Sequence, residues 1–152
     1  MGVFQMADDS QEFLAYLTHL RAEHRELDKR LRRIEREWTD RPSKAVPQVI
    51  LDLQTLRLDL AHHFEEEESG GCLDEAVSRQ PSLGHEADRL QREHPELLKQ
   101  LDRPIEMLKG RTQPDERANK AKEEFRHFAE ALHAHEAAEN RILEQSFGVD
   151  LE

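Results

Sequence analysis

Apolar residues recur along the chain at alternating steps of three and four, in four long stretches separated by short runs of Pro, Gly and polar residues. That stepping marks an amphipathic helix with one buried stripe. The first stretch opens at Asp8-Asp9-Ser10, acidic and cap-forming, with Glu12 placed as a capping partner. Its stripe reads Phe13, Leu17, Leu20, His24, Leu27, Leu31, Ile34 and Trp38, and it stops before Thr39-Asp40-Arg41-Pro42. The second starts near Val46-Pro47, where proline suits a first helical turn, and ends at Ser69-Gly70-Gly71. It carries Val46, Val49, Leu53, Leu56, Leu60, His63 and Glu67. Residues 72–79 have room for two helical turns. The third stretch runs from Pro81-Ser82 to Gly110 on Leu83, Ala87, Leu90, His94, Leu97, Leu101 and Leu108, with Pro104 breaking the pattern. Pro95, directly after His94, is expected to kink or restart this helix. After a connector at 111–114, the fourth stretch reaches Phe147-Gly148 on Ala121, Phe125, Phe128, Leu132, His135, Glu139 and Ile142.

A mean period near 3.5 residues held over several heptads packs helices at shallow angles, and short connections make neighbours antiparallel. The pattern therefore predicts an all-α fold, an antiparallel up-down-up-down four-helix bundle. It forms a single domain over residues 1–152, because no linker is long or polar enough to divide it.

Composition agrees. Twenty residues are Leu, whereas Val, Ile and Thr together number thirteen, which favours helices over sheets. The formal charge of -11 argues against a nucleic-acid partner, since phosphate binding needs clustered Lys and Arg. A single cysteine, Cys72, excludes an internal disulfide and a cysteine-built zinc site, and reads as an ordinary loop thiol. The opening MGVFQMADDSQEF lacks the pattern of a signal peptide, and no apolar run is long enough to span a bilayer. The expectation is a cytoplasmic protein with no membrane partner.

The candidate chemistry lies where polar residues interrupt the stripes. Of the nine histidines, His24, His63, His94 and His135 fall on them, together with Glu67 and Glu139. His63 and Glu67 are four apart, as are His135 and Glu139, so each pair shares one helix face. The chain also repeats itself. Leu20-Arg-Ala-Glu-His24-Arg-Glu-Leu27 matches Leu90-Gln-Arg-Glu-His94-Pro-Glu-Leu97 seventy residues later, and His63 and Glu67 recur seventy-two later as His135 and Glu139. The domain thus reads as two similar helical hairpins, about 9–69 and about 82–147. Each gives one His from its first helix and a His-x-x-x-Glu from its second. At about 1.5 Å per residue, His24 and His63 sit within one turn of the same level, so facing hairpins converge four imidazoles and two carboxylates in one layer.

Two unpartnered buried carboxylates would each cost several kcal/mol, and a dication coordinating the whole set removes that penalty. Imidazole with carboxylate suits Fe, Mn or Zn rather than Ca or Mg. Six donors exceed what one tetrahedral zinc needs, whereas two metals bridged by two carboxylates use them all and keep positions open for an exogenous molecule. The Glu-x-x-His pairs Glu124/His127 and Glu130/His133 lie off the stripe and have no counterpart in the first hairpin, so they are set aside. Glu65, Glu66 and Glu68 read as a solvated face, with Glu66 notable for standing four residues from His62. Tyr16, two turns from His24, reads as peripheral.

At these residues the chain resembles the hemerythrin-like family, whose bacterial His-His-Glu members show His, His-x-x-x-Glu, His, His-x-x-x-Glu across four helices. The resemblance covers His24 to Glu139 in six ordered positions, and His63-Phe64-Glu65-Glu66-Glu67 is similar to the family's second-helix motif. It implies a non-haem di-iron centre in which His24 and His63 serve one iron, His94 and His135 the other, and Glu67 and Glu139 bridge. Oxygen-carrying members have a His-x-x-x-His pair on the third helix, where Leu90 and Leu98 flank His94 here. Their fourth helix has His-x-x-x-x-Asp, and Glu139 comes one residue earlier. The extra open position implies that a small diatomic or peroxide (O2, NO or H2O2) reacts as well as binds, with Leu60, Leu90 and Leu132 excluding water. The alternatives are an iron- or oxygen-dependent regulatory module without turnover, and a metal-free interaction bundle.

Overall fold

Where each stripe persists the chain coils, and where glycine intervenes it turns. The computed structural model describes residues 6–40, 46–110 and 115–148. Five α-helices account for nearly all of them: α1 Met6–Asp40, α2 Val46–Gly70, the short α3 Cys72–Arg79, α4 Gly84–Leu108 and α5 Asp115–Phe147. A 3-10 turn at Pro81–Leu83 joins α3 to α4, and no strand occurs among the described residues. The expected connector at 111–114 and Arg41-Pro42 lie outside the described residues, and α1 runs on through Thr39 and Asp40, past the expected stop before Thr39.

The start of α1 and the course of the third long helix also differ from expectation. α1 is already helical at Met6, so residues 8–10 lie inside it rather than capping it. Pro95 neither breaks nor restarts the third long helix, since both Pro95 and Pro104 lie inside unbroken α4. Pro104, expected to interrupt the stripe, is itself buried beside Ile105. Its ring is apolar, and packing of the flanking turns outweighs the missing backbone bond. Between α2 and α3 the chain turns on Gly71, whose φ of 68° is left-handed and disfavours any side chain. The Gly71 N–H donates to the Glu67 carbonyl at 3.1 Å and closes the last turn of α2.

The four long helices each touch two others. α1 meets α2 through Tyr16 with Glu66, Glu23 with His63, and Arg30 with Asp59. α4 meets α5 through Glu86 with Arg141, Glu93 with His135, and Arg103 with Glu124. Arg57 and Asp102 join α2 to α4, while Asp28 with His133 and Glu35 with Arg126 join α1 to α5.

Their buried faces form two apolar clusters rather than one. The larger holds Leu27 to Trp38 of α1, Val49 to Phe64 of α2, Leu97 to Leu108 of α4 and Ala121 to Leu132 of α5. The smaller holds Phe13, Leu17 and Leu20 of α1, Cys72, Leu73 and Ala76 of α3, Ala87 and Leu90 of α4, and Ala138, Ile142 and Leu143 of α5. His24 on α1, His94 on α4 and His135 on α5 sit where the chain passes from one cluster to the other, while on α2, which gives nothing to the smaller cluster, His63 and Glu67 lie at the end of the larger one. Cys72 is therefore a core thiol, 1% exposed, and not the loop thiol expected. Burial pushes its pKa well up, with Glu67 and Glu139 adding to the effect, so it stays protonated and unreactive.

Leu56 is fully enclosed in the larger cluster, whereas Leu58 is 69% exposed on the same helix. Leu56→Ala is expected to lower unfolding free energy by about 2–5 kcal/mol in urea titrations, and Leu58→Ala to change it by no more than about 0.5 kcal/mol.

Candidate metal centre

All six stripe residues singled out in the sequence meet in the gap between the clusters. His63, Glu67, His94, His135 and Glu139 are 4% exposed or less. His24 is the outermost, with 12% of its side chain exposed. Helical spacing explains the convergence: on α2 and α5 the i, i+4 step sets each carboxylate one turn below its imidazole, at 3.2 Å for His63 Nε2 to Glu67 Oε2 and 3.3 Å for His135 Nε2 to Glu139 Oε2.

The groups form two pairs of imidazoles joined by two carboxylates. His24 Nε2 and His63 Nε2 are 2.8 Å apart, and the rings of His94 and His135 lie edge to face with centroids 5.0 Å apart. Glu67 points Oε2 at His24 (3.5 Å) and His63, and Oε1 at His94 (3.4 Å). Glu139 points Oε1 at His24 (3.9 Å) and Oε2 at His94 (3.6 Å) and His135. Each carboxylate thus offers one oxygen to either pair.

Several of these atoms make no hydrogen bond although they are sealed from solvent: His94 Nε2, His135 Nε2, Glu67 Oε1 and both oxygens of Glu139. Donors bound about 2.1 Å from one ion stand roughly 3.0–3.4 Å from each other, close to the spacing here. The donor set thus fits a metal ion better than a network of shared protons. Two overlapping groups have the required mutual distances, Glu67 with His94, His135 and Glu139, and His24 with His63 and Glu67.

Around this core stands a ring of supporting carboxylates that the stripes did not reveal. Glu23 accepts the Nδ1–H of His63 at 2.8 Å, Glu68 that of His94 at 2.7 Å, and Glu93 that of His135 at 2.7 Å. These bonds fix each imidazole with Nε2 facing inward. Glu68 is therefore not part of an idle solvated face. A signal for two of the three lay in the repeat, where Glu23 directly precedes His24 and Glu93 directly precedes His94. Each supports the histidine on the other helix of its pair.

Tyr16 also proves more than peripheral. Its hydroxyl donates to the carbonyls of Glu66 (2.8 Å) and Glu67 (3.2 Å), anchoring the backbone from which the Glu67 side chain springs. Gly70 makes room, because any Cβ there would collide with the Tyr16 ring and hydroxyl. Burial raises the Tyr16 pKa, so the phenol stays protonated as a donor.

The two halves differ at the position after the histidine of each His-x-x-x-Glu. Phe64 follows His63 and stacks on His94, with ring centroids 4.0 Å apart and planes 6° from parallel. Seventy-two residues later, Glu136 follows His135 and its Oε2 lies 3.9 Å from His24 Nε2. Burial pushes the Glu136 carboxyl up to about 7 against the lowering effect of His24. Leu60, Leu90 and Leu132, expected to keep water out, are all 1% exposed or less. The rejected residues stay outside the centre. Glu124 pairs with Arg103, His133 with Asp28, and His127 and Glu130 face solvent.

Without a cation the layer is held by protons. Burial alone would lower the His63 and His135 pKa values, but hydrogen bonds and charge from Glu67 and Glu139 hold both at about 9. Burial would likewise raise Glu67, and the bonds from His24 and His63 instead hold it below the usual carboxylate range.

Residues 2–70 match the hemerythrin HHE cation binding domain. No curated protein and no solved structure matches the chain.

The shifts define how the chelated protein responds to pH. Stability from His63 and His135 is fully present below their unfolded value of 6.5 and is lost as pH rises through about 9. Glu136, raised from 4.5 to about 7, removes stability over that interval. The lowered Glu67 contributes above 4.5 and loses its contribution on acidification. Melting scans in excess chelator should therefore peak near about pH 5 and decline steadily to about pH 10. A flat profile from 6 to 10 would contradict the assignment of charged imidazoles.

Proposed function

Because residues 2–70 match the hemerythrin HHE cation binding domain, we propose that this protein is a non-haem di-iron four-helix bundle. It binds a small exogenous ligand, O2, NO or peroxide, for sensing, binding or two-electron redox chemistry. In this reading His24 and His63 would hold one iron, His94 and His135 would hold the other, and Glu67 and Glu139 would be shared between them. The observation that carries it is the division of each buried carboxylate between the two imidazole pairs. Manganese and zinc are the other ions this donor set admits.

So held, an iron pair would supply a place for the small ligand and up to two electrons. The chain supplies the rest. Glu23, Glu68 and Glu93 keep three imidazoles oriented through Nδ1, which raises their basicity as ligands. Phe64 and the three leucines wall the layer with hydrocarbon, strengthening every electrostatic contact inside it.

The up-down-up-down arrangement of two hairpins in one domain belongs to the same reading. Its support is the order of partners: as numbers rise along α1 from Tyr16 to Arg30, those on α2 fall from Glu66 to Asp59. Along α4 and α5, Glu86 to Arg103 meets Arg141 to Glu124 in the same descending order.

Anaerobic Fe(II) titration of the apoprotein, followed by absorbance after adding NO, should break at about two irons per chain, and His63→Ala and Glu139→Ala should abolish that stoichiometry. A break at about one iron, or none, contradicts the dinuclear reading.

A further inference from the structure

Each pair of long helices carries a surface groove, and the two grooves correspond residue for residue. The first is lined by His19, Glu23, Glu26, Arg30, His62 and His63. The second is lined at the matching positions by Arg89, Glu93, Glu96, Gln100, Ala134 and His135. Both run down to a buried imidazole whose Nδ1–H is held by a carboxylate, His63 by Glu23 and His135 by Glu93.

Their walls differ in their histidines. On α1, His19 and Glu23 are four apart, and on α2 His62 and Glu66 are four apart, so two His-x-x-x-Glu pairs face each other across the first groove. His19 Nε2 lies 3.3 Å from Glu66 Oε2 and 3.4 Å from Glu23 Oε2, and His62 Nε2 lies 3.8 Å from Glu66 Oε1. His19, Glu23 and Glu66 have donor atoms all within 4.8 Å of one another. Glu66 Oε1 is shielded from solvent and accepts no hydrogen bond. Arg30, the cation lining this groove, is tied to Asp59. At the matching places the second groove has Arg89, Ala134 and Ala138, with Arg141 also on its wall. The first groove offers a cation three converging donors with His62 beside them, and the second has none of those imidazoles or the Glu66 carboxylate.

An exposed His–Glu contact alone contributes little. Three donors converging on one point, His19, Glu23 and Glu66, with His62 beside Glu66, make a chelate of mixed imidazole and carboxylate, the donor type that selects borderline divalent metals. We propose that His19, Glu23, His62 and Glu66 form a third divalent-cation site, outside the buried centre, which takes up a metal such as Fe(II), Co(II) or Zn(II) from solvent. It goes beyond the di-iron reading and does not depend on it. Glu23 joins the two levels, with Oε1 on His63 and Oε2 facing His19. His19 and His62 are 55% and 71% exposed, so the outer site meets solvent directly.

Equilibrium dialysis of the apoprotein with Co(II), read with paramagnetically shifted imidazole proton resonances, tests the site. The unaltered chain should bind about three Co(II), and the double variant His19→Ala/His62→Ala about two, with the shifted signals of the exposed imidazoles gone. Arg89→Ala, in the other groove, should keep about three. About two Co(II) in both the unaltered chain and the double variant overturns the outer site while leaving the buried centre intact. About one in the unaltered chain and none in the double variant sustains the outer site and overturns the dinuclear reading instead. Circular dichroism of the double variant confirms that the surface change leaves the helices formed.

Discussion

The hydrocarbon interior of this protein is cut in two by a layer of nitrogen and oxygen donors. Below the layer lie the aromatic and leucine side chains from Leu27 to Trp38 and their partners, and above it the smaller cluster around Phe13, Cys72 and Ile142. Burying carboxylates and imidazoles between such clusters is unfavourable unless each finds a counter-charge. Protons meet part of that need, as the raised imidazoles and lowered Glu67 show. They leave both oxygens of Glu139 and the inward nitrogens of His94 and His135 without hydrogen bonds. A cation satisfies all of these together, which is why the fold and the proposed chemistry are one question.

Duplication explains how so many donors reach one level, and divergence gives the level its asymmetry. The Glu-His pair at 23–24 recurs at 93–94, and the His-x-x-x-Glu at 63–67 recurs at 135–139. Four positions then part company. Phe64 packs its ring flat on His94, while Glu136 sets a carboxyl near His24. Glu68 supports His94, while Asn140 stands at the matching place and His24 Nδ1 is buried without a hydrogen bond. The surface pair His62 and Glu66 gives way to Ala134 and Ala138. One half of the site is therefore tightly supported and walled by an aromatic ring, and the other is more polar and more open.

Much of this was legible in the sequence because helical periodicity reports burial directly. Every apolar stripe position from Phe13 to Trp38 is buried, and the six polar interruptions meet where the repeat placed them. Periodicity says less about residues on the flank of a stripe, whose carboxylates reach inward over a turn. Glu23, Glu68 and Glu93 were missed for that reason, since each is partly exposed yet bonds a buried imidazole. Tyr16 and Cys72 were misjudged because their partners lie at the α2–α3 turn, fifty or more residues from Tyr16, and α3 seals that end of the core. Pro95 and Pro104 illustrate packing overriding local propensity, with α4 continuing through both.

If the divided core depends on a cation, removing that cation must weaken the whole bundle. The direct measurement is the melting temperature of chelated protein against the same sample reloaded anaerobically with Fe(II), at one pH and one protein concentration. Metal in large excess over its dissociation constant should raise the melting temperature by about 10 °C or more. Identical melting curves with and without iron would show that the layer is stable on protons alone, and would contradict the account.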